Sequence, residues 1–217
     1  MNRKTTVAFG ASLLASCLGS LIAGLVVRAQ FRGRSHWLVQ DLVYVTRDQH
    51  LSNSFPFVSN LPLWTLASWP FVGIAVVFLV RWVRASSPGL SALPEIVGGL
   101  ILGGGLANAM EAQAAGSVTD FLGIRLSGTY SAGDIVMDVG SALVPAVVIQ
   151  IAKAQGRSLL GVLTSGAVFY VAVVLVGVAK QDYALAVLVT LVTGAFVSIS
   201  LIRQSETRRA GTPTGAK

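Results

Sequence analysis

Two aspartates hold the positions in this chain where chemistry is easiest to imagine. Asp120, in Val-Thr-Asp-Phe, and Asp134, in Tyr-Ser-Ala-Gly-Asp, each stand where a long apolar run meets a short polar loop. An ionisable side chain in such a place is costly and is by default a functional candidate. Folding that closes the loop brings the two carboxylates together at one membrane face. Two carboxylates that share a site do not both ionise cheaply, so one keeps its proton. The ionised member then activates a water for attack on a peptide carbonyl. The protonated member polarises that carbonyl and passes a proton to the leaving amine. This chemistry calls for no metal, no cofactor and no nucleophilic serine. The substrate it suits is a peptide bond presented close to the membrane surface.

The stretch 98–140 that carries this pair also holds Glu111 and Asp138. Asp138 lies four residues after Asp134, on the same face of a helix. Packing against a polar group in the bundle is the favoured reading for it, ahead of a supporting or competing carboxylate. Glu111 reads equally as a support near the pair or as a solvated helix end. Glu95 and Asp182 read as interface residues. His36 and His50 are the only histidines and are expected in a solvated loop, so a His-rich zinc site is not expected. The single cysteine, Cys17, rules out an internal disulfide and a cysteine-based metal site.

The elements that must position these residues are membrane helices. Of 217 residues, 53% are hydrophobic and only 12% charged, against about 25% charged in ordinary soluble chains. Long apolar runs make this an all-α polytopic membrane protein with about six transmembrane helices. The formal charge of +7 is scattered over termini and short loops, which suits membrane topology and not a nucleic-acid stripe.

The first expected span is 5–27, behind Asn2-Arg3-Lys4. Leu14-Ala15-Ser16-Cys17 spells a lipobox, the cleavage site of a lipoprotein precursor. The apolar run of about 22 residues favours an uncleaved anchor, in which Cys17 is a small residue at lipid depth. Residues 28–62 form an outer loop with a small β element, since Trp37-Leu38-Val39 and Leu42-Val43-Tyr44-Val45 have strand-like content. It is expected to rest on the bilayer, with Arg28, Arg32, Arg34 and Arg47 either meeting anionic headgroups or simply solvating the loop. The second span is 63–83. Its Trp64 and Trp82 lie about 27 Å apart along a helix, the spacing of an aromatic belt at each membrane face. The third span, 94–110, opens on Pro94 and is rich in glycine, which suits a helix in the middle of the bundle. The fourth, fifth and sixth spans are 133–151, 159–178 and 183–202, and the basic tail 204–217 is expected to be disordered.

Orientation follows from the 16 lysines and arginines. With both termini cytoplasmic, ten lie inside (Arg3, Lys4, Arg81, Arg84, Lys153, Arg157, Arg203, Arg208, Arg209, Lys217) and six outside (Arg28, Arg32, Arg34, Arg47, Arg125, Lys180). Asp120 and Asp134 then lie at the outer face.

The stretch resembles signal peptidase II, the lipoprotein signal peptidase family of aspartic membrane proteases. The family's first motif reads G-N-x-x-D-R, a glycine, then V-V-D-F; Asn108, Gly116, Val118, Asp120 and Phe121 fall at that spacing. Its second motif reads F-N-x-A-D with a glycine six residues on; Tyr130, Ser131, Gly133, Asp134 and Gly140 take those places. The departures are Ala107 for glycine, Glu111-Ala112 for Asp-Arg, and Ser131 for asparagine. The resemblance implies a four-helix domain over 1–155, so that the two helices of 156–203 would be an addition. It implies Asp120 and Asp134 as the catalytic dyad, supported by Asn108, Glu111, Gly116, Tyr130 and Ser131. It implies lipid-modified precursor proteins as partners within the lipids of the bacterial cytoplasmic membrane.

Three functions are therefore open. The leading one is an aspartic endopeptidase that cuts lipidated precursors at the outer face. The second is a non-catalytic relative that binds lipoproteins or another membrane protein, favoured by the lost arginine and asparagine. The third is a small transporter or proton relay through Asp120, Asp134 and Asp138, disfavoured because no internal repeat is present.

Overall fold

In a computed structural model, residues 3–30, 36–40, 42–50, 62–87, 89–125, 128–179 and 187–193 are described. Among them are α1 (Arg3–Gln30), β1 (His36–Val39), β2 (Val43–His50), α2 (Pro62–Ser86), α3 (Leu93–Ala115), β3 (Val118–Ile124), β4 (Gly128–Tyr130), α4 (Ala132–Ala142), α5 (Val144–Ala154) and α6 (Leu159–Ala179). Among the described residues, three stretches are long and apolar enough to cross a membrane: Arg3–Gln30, Leu93–Ala115 and Ala132–Ala154. Helices α2 and α6 occupy the residues expected for the second and fifth spans, and α6 contains a shorter apolar helix, Leu160–Leu175. The sixth expected span, 183–202, lies outside the described residues except for 187–193, which are helical. Also outside them are loop residues 51–61, Asp182 and the tail 204–217.

Helix α3 packs against α1, α2 and α4. It starts with a proline in its first turn and stops at Gly116, whose φ of 73° is a left-handed cap that favours glycine. Its glycines let backbones meet. A Cβ on Gly99 would fall 2.9 Å from both the Leu13 nitrogen and the Phe9 carbonyl oxygen of α1. On the other side, a Cβ on Gly104 would fall 2.5 Å from the Gly133 carbonyl oxygen of α4. Small residues at such crossings let helices gain dispersion contacts in lipid, where burial of apolar surface offers little drive. Serines of α1 face this seam: Ser16 Oγ donates to the Ser12 carbonyl at 2.5 Å and lies 3.2 Å from the Gly99 carbonyl of α3. Cys17 is buried between the helices.

A buried ion pair fastens the start of α3. Arg84 of α2 donates through Nε to Glu95 Oε1 (2.9 Å) and through Nη2 to Oε2 (2.5 Å). Its guanidinium also reaches the Leu90 and Ser91 carbonyls. Glu95, expected at an interface, has no exposed surface at all. A carboxylate so enclosed needs a bidentate cation, and Arg84 supplies it.

Two expectations change. The loop between the third and fourth spans is a hairpin, β3–β4, that joins β1 and β2 in one antiparallel sheet of order β1-β2-β3-β4. The run Val-Thr-Asp-Phe-Leu-Gly-Ile has the β-branched and aromatic content of a strand, and β2 lies beside it with Val45 opposite Leu122 and Asp48 opposite Asp120. The fourth span is also not one smooth helix. It breaks at Leu143, two residues before Pro145, whose missing N–H cannot bond to the Ser141 carbonyl.

The α1–α3 seam yields a stability test. Gly99→Leu should lower stability by about 1–3 kcal/mol, as overpacking does. Gly73→Leu, at a position with nothing within 4 Å, should leave it unchanged. Unfolding of the two variants in detergent micelles checks both.

Candidate active site

The site is built at the start of α4. Ser131 is its N-cap, in extended conformation, and closes a capping box with Asp134. The Ser131 hydroxyl accepts the Asp134 N–H at 3.1 Å, and the Ser131 N–H donates to Asp134 Oδ2 at 3.0 Å. From α3, Asn108 Nδ2 donates to Asp134 Oδ1 at 2.8 Å. The Ser131 hydroxyl lies 2.9 Å from Asn108 Oδ1 and 2.8 Å from Asp134 Oδ2. Having one proton, it donates to one of these at a time. Asn108 fits only because residue 133 is glycine: a Cβ there would collide with its Oδ1. Asn108, Ser131 and Asp134 thus form one hydrogen-bonded group between two helices.

Asp120 lies on β3 with 1% of its surface exposed. Thr129 of β4 donates its hydroxyl proton to Asp120 Oδ2 at 2.6 Å. Thr129 and Ser131 flank the buried Tyr130, so the same short segment holds Asp120 from one side of Tyr130 and Asp134 from the other. Thr129 is a contact that sequence reasoning missed. Its only signal is its place in Gly-Thr-Tyr-Ser, directly ahead of the second aspartate motif.

Glu111 is not a solvated helix end. It sits on the last full turn of α3 and its Oε1 accepts the Thr119 N–H at 3.2 Å. The Arg28 Nε is 3.1 Å from the same oxygen. Gly24 of α1 gives the carboxylate room, since a Cβ there would come within 3.1 Å of it. Arg28, expected either to meet headgroups or to solvate the loop, is instead turned into the bundle. Its Nε–H donates to Thr119 Oγ1 and its Nη2 to the Ser117 carbonyl at 2.7 Å. Gly116 makes the turn from α3 into this segment. Asp138 is half-buried one turn along α4 from Asp134.

The family resemblance places asparagine where this chain has Ser131. Both are strong N-caps, so the departure keeps the local structure. Ser131→Ala should cost about 1 kcal/mol, the usual loss on removing a cap, whereas Ser131→Asn should cost a few tenths at most. Chemical unfolding in micelles measures both.

Comparison with known proteins bears on the same region. The family model for signal peptidase (SPase) II matches residues 20–151. Among curated proteins none matches. A bacterial membrane enzyme solved by the in meso method at 2.3 Å resolution shares the fold, with a TM-score of 0.53 and 16% identity over 69% of this chain and 93% of its own. A second, solved at 1.9 Å resolution, gives a TM-score of 0.49 and 16% identity over 62% and 90%. The matched residues span α3, the sheet and α4, and with them every residue of the site described above. This chain belongs to the signal peptidase II family.

Proposed function

We propose that this protein is a membrane-embedded aspartic endopeptidase that removes signal peptides from lipidated prolipoproteins. Asp120 and Asp134 form its acid–base pair. The observation that carries this reading is the way the segment around Tyr130 holds both aspartates: Thr129 on Asp120, Ser131 on Asp134. In the reaction the ionised carboxylate takes a proton from water as the water attacks the scissile carbonyl. The other keeps its proton while it hydrogen-bonds to the carbonyl oxygen, where negative charge develops, and passes that proton to the departing amine as the tetrahedral adduct collapses. The proton from water stays on the first carboxylate. Asn108 orients the Asp134 carboxylate by its amide, and Glu111 and Gly116 hold the entry to β3. Membership of the family supports cleavage of lipoprotein precursors in general.

The placement in the membrane is part of the proposal. Six spans put both termini in the cytoplasm of a bacterial cell and the aspartates at the outer face of its cytoplasmic membrane. The four-stranded sheet lies on the bilayer there. In support, Trp37, Leu38, Val39 and Leu42 around the β1–β2 turn are all exposed apolar side chains, suited to the headgroup boundary. Lipid-modified precursors arrive by lateral diffusion, and nucleic acid has no part.

A second reading, a non-catalytic relative that binds lipoproteins or another membrane partner, draws on the capping box. A carboxylate at N3 that caps its own helix already has a structural task. The two readings part on one assay, cleavage of a diacylglyceryl-modified precursor by the purified protein. Wild type should cleave. Asp120→Asn and Asp134→Asn should each lose on the order of a thousandfold, the scale that acid–base groups supply, while remaining folded. A folded wild type inert on several lipidated precursors would sink the protease reading and favour the binding one.

A further inference from the structure

We infer that Arg28 is a positioning residue for Asp120, acting from α1 through Thr119. Its kinetic consequence rests on the protease reading; its structural consequence does not. The residue just before Asp120 is gripped twice. Its side-chain hydroxyl accepts from Arg28 Nε, and its backbone N–H donates to Glu111 Oε1 at 3.2 Å. The same guanidinium takes the Ser117 carbonyl at 2.7 Å and lies 3.1 Å from Glu111. One cation therefore joins the end of α1, the last turn of α3 and the first residues of β3. The Arg28 and Glu111 side chains are only 21% and 12% exposed, so solvent screens the pair poorly and the contacts fix geometry.

This arrangement does what a single neighbouring contact could not. Residues 116–118 turn sharply from α3 into β3 through a left-handed glycine, and the pairing of β3 with β2 is irregular between Val45 and Asp48, beside Asp120. Arg28 and Glu111 hold Thr119 by side chain and main chain at once, which fixes both the height and the rotation of the strand at Asp120. Errors of about 1 Å in a catalytic group can cost on the order of a hundredfold in rate. The planar fork of arginine suits this task, since it spreads donors over separate acceptors; lysine offers a point charge on a flexible stem.

The test uses the full chain in micelles, with Arg28→Gln, Arg28→Lys and Thr119→Val, and with Arg157→Gln as a control of equal charge loss elsewhere. Thr119→Val removes only the hydroxyl acceptor and leaves the ion pair with Glu111, so it remains informative if Arg28→Gln folds poorly. Amide hydrogen exchange is read on peptides covering 117–121 and 146–152. In Arg28→Gln and Thr119→Val, exchange over 117–121 should rise at least fivefold while 146–152 stays as in wild type. On a lipidated precursor, kcat per folded enzyme should fall at least tenfold in Arg28→Gln with KM within twofold, and Arg28→Lys should recover part of the loss. Wild-type exchange over 117–121 in both Arg28→Gln and Thr119→Val, or wild-type kcat in a folded Arg28→Gln, would overturn the inference. An inert wild type would count against the protease reading alone, and the exchange data would still decide whether Arg28 positions the strand.

Discussion

A carboxylate carried into a membrane bundle must be met there by a cation or by hydrogen-bond donors. Helix α3 brings two, and each is answered from a neighbouring helix. Glu95 in its first turn takes both oxygens' bonds from Arg84 of α2, and Glu111 in its last takes Arg28 of α1. The two acids stand about 24 Å apart along the helix axis, so the charged clamps sit near the two ends of an otherwise apolar rod. Between them the glycines let the neighbours come close enough for short side chains such as Ser12 and Ser16 to reach across. Clamps and glycines work together: without close approach the arginines would not reach, and without arginines the acids could not be buried.

From that frame the site follows with few further parts. Asn108 leaves α3 three residues before Glu111, on the same side of the helix, and meets the start of α4 at Gly133. The helix start needs acceptors for its free N–H groups, and Ser131 and Asp134 provide them. The sheet then supplies the other aspartate on a strand held at both ends, by Arg28 and Glu111 at Thr119 and by β4 beyond. Rigid elements position both acids, as the proposed acid–base chemistry requires.

Much of this was legible in the residues, because apolar runs of bilayer length and an Asp-to-Asp spacing between them are local signals. The helices of 3–30, 93–115 and 159–179 fall close to where hydropathy puts them, and the glycines of α3 place it centrally as expected. What the sequence does not display is which neighbour a side chain turns to. Arg28 sits in a group of four arginines that reads as a loop or headgroup contact, and only the crossing of α1 over α3 turns it toward Glu111. Glu95 looks like an interface acid until Arg84 is brought around it. Strand β3 escapes notice because Val-Thr-Asp-Phe-Leu-Gly-Ile does not alternate, with Asp120 on the Val118 face and Phe121 next to Leu122, and its strand identity depends on pairing with β2, more than 60 residues earlier in sequence. The missing arginine after Glu111 is in the same class. Ala112 is a loss when the motif is read along the chain, whereas in three dimensions a guanidinium stands beside Glu111 all the same, contributed by another helix.

The seam between α1 and α3 has one more consequence. Leu14-Ala15-Ser16-Cys17 is the kind of text that marks a lipoprotein precursor for lipid attachment and cutting. Here the bond between Ser16 and Cys17 lies in the middle of an unbroken helix, with both residues buried and Ser16 hydrogen-bonded across to α3. A protease needs its substrate extended, and an acylating enzyme needs a thiol it can approach. With α1 docked, neither condition is met at Ser16 and Cys17.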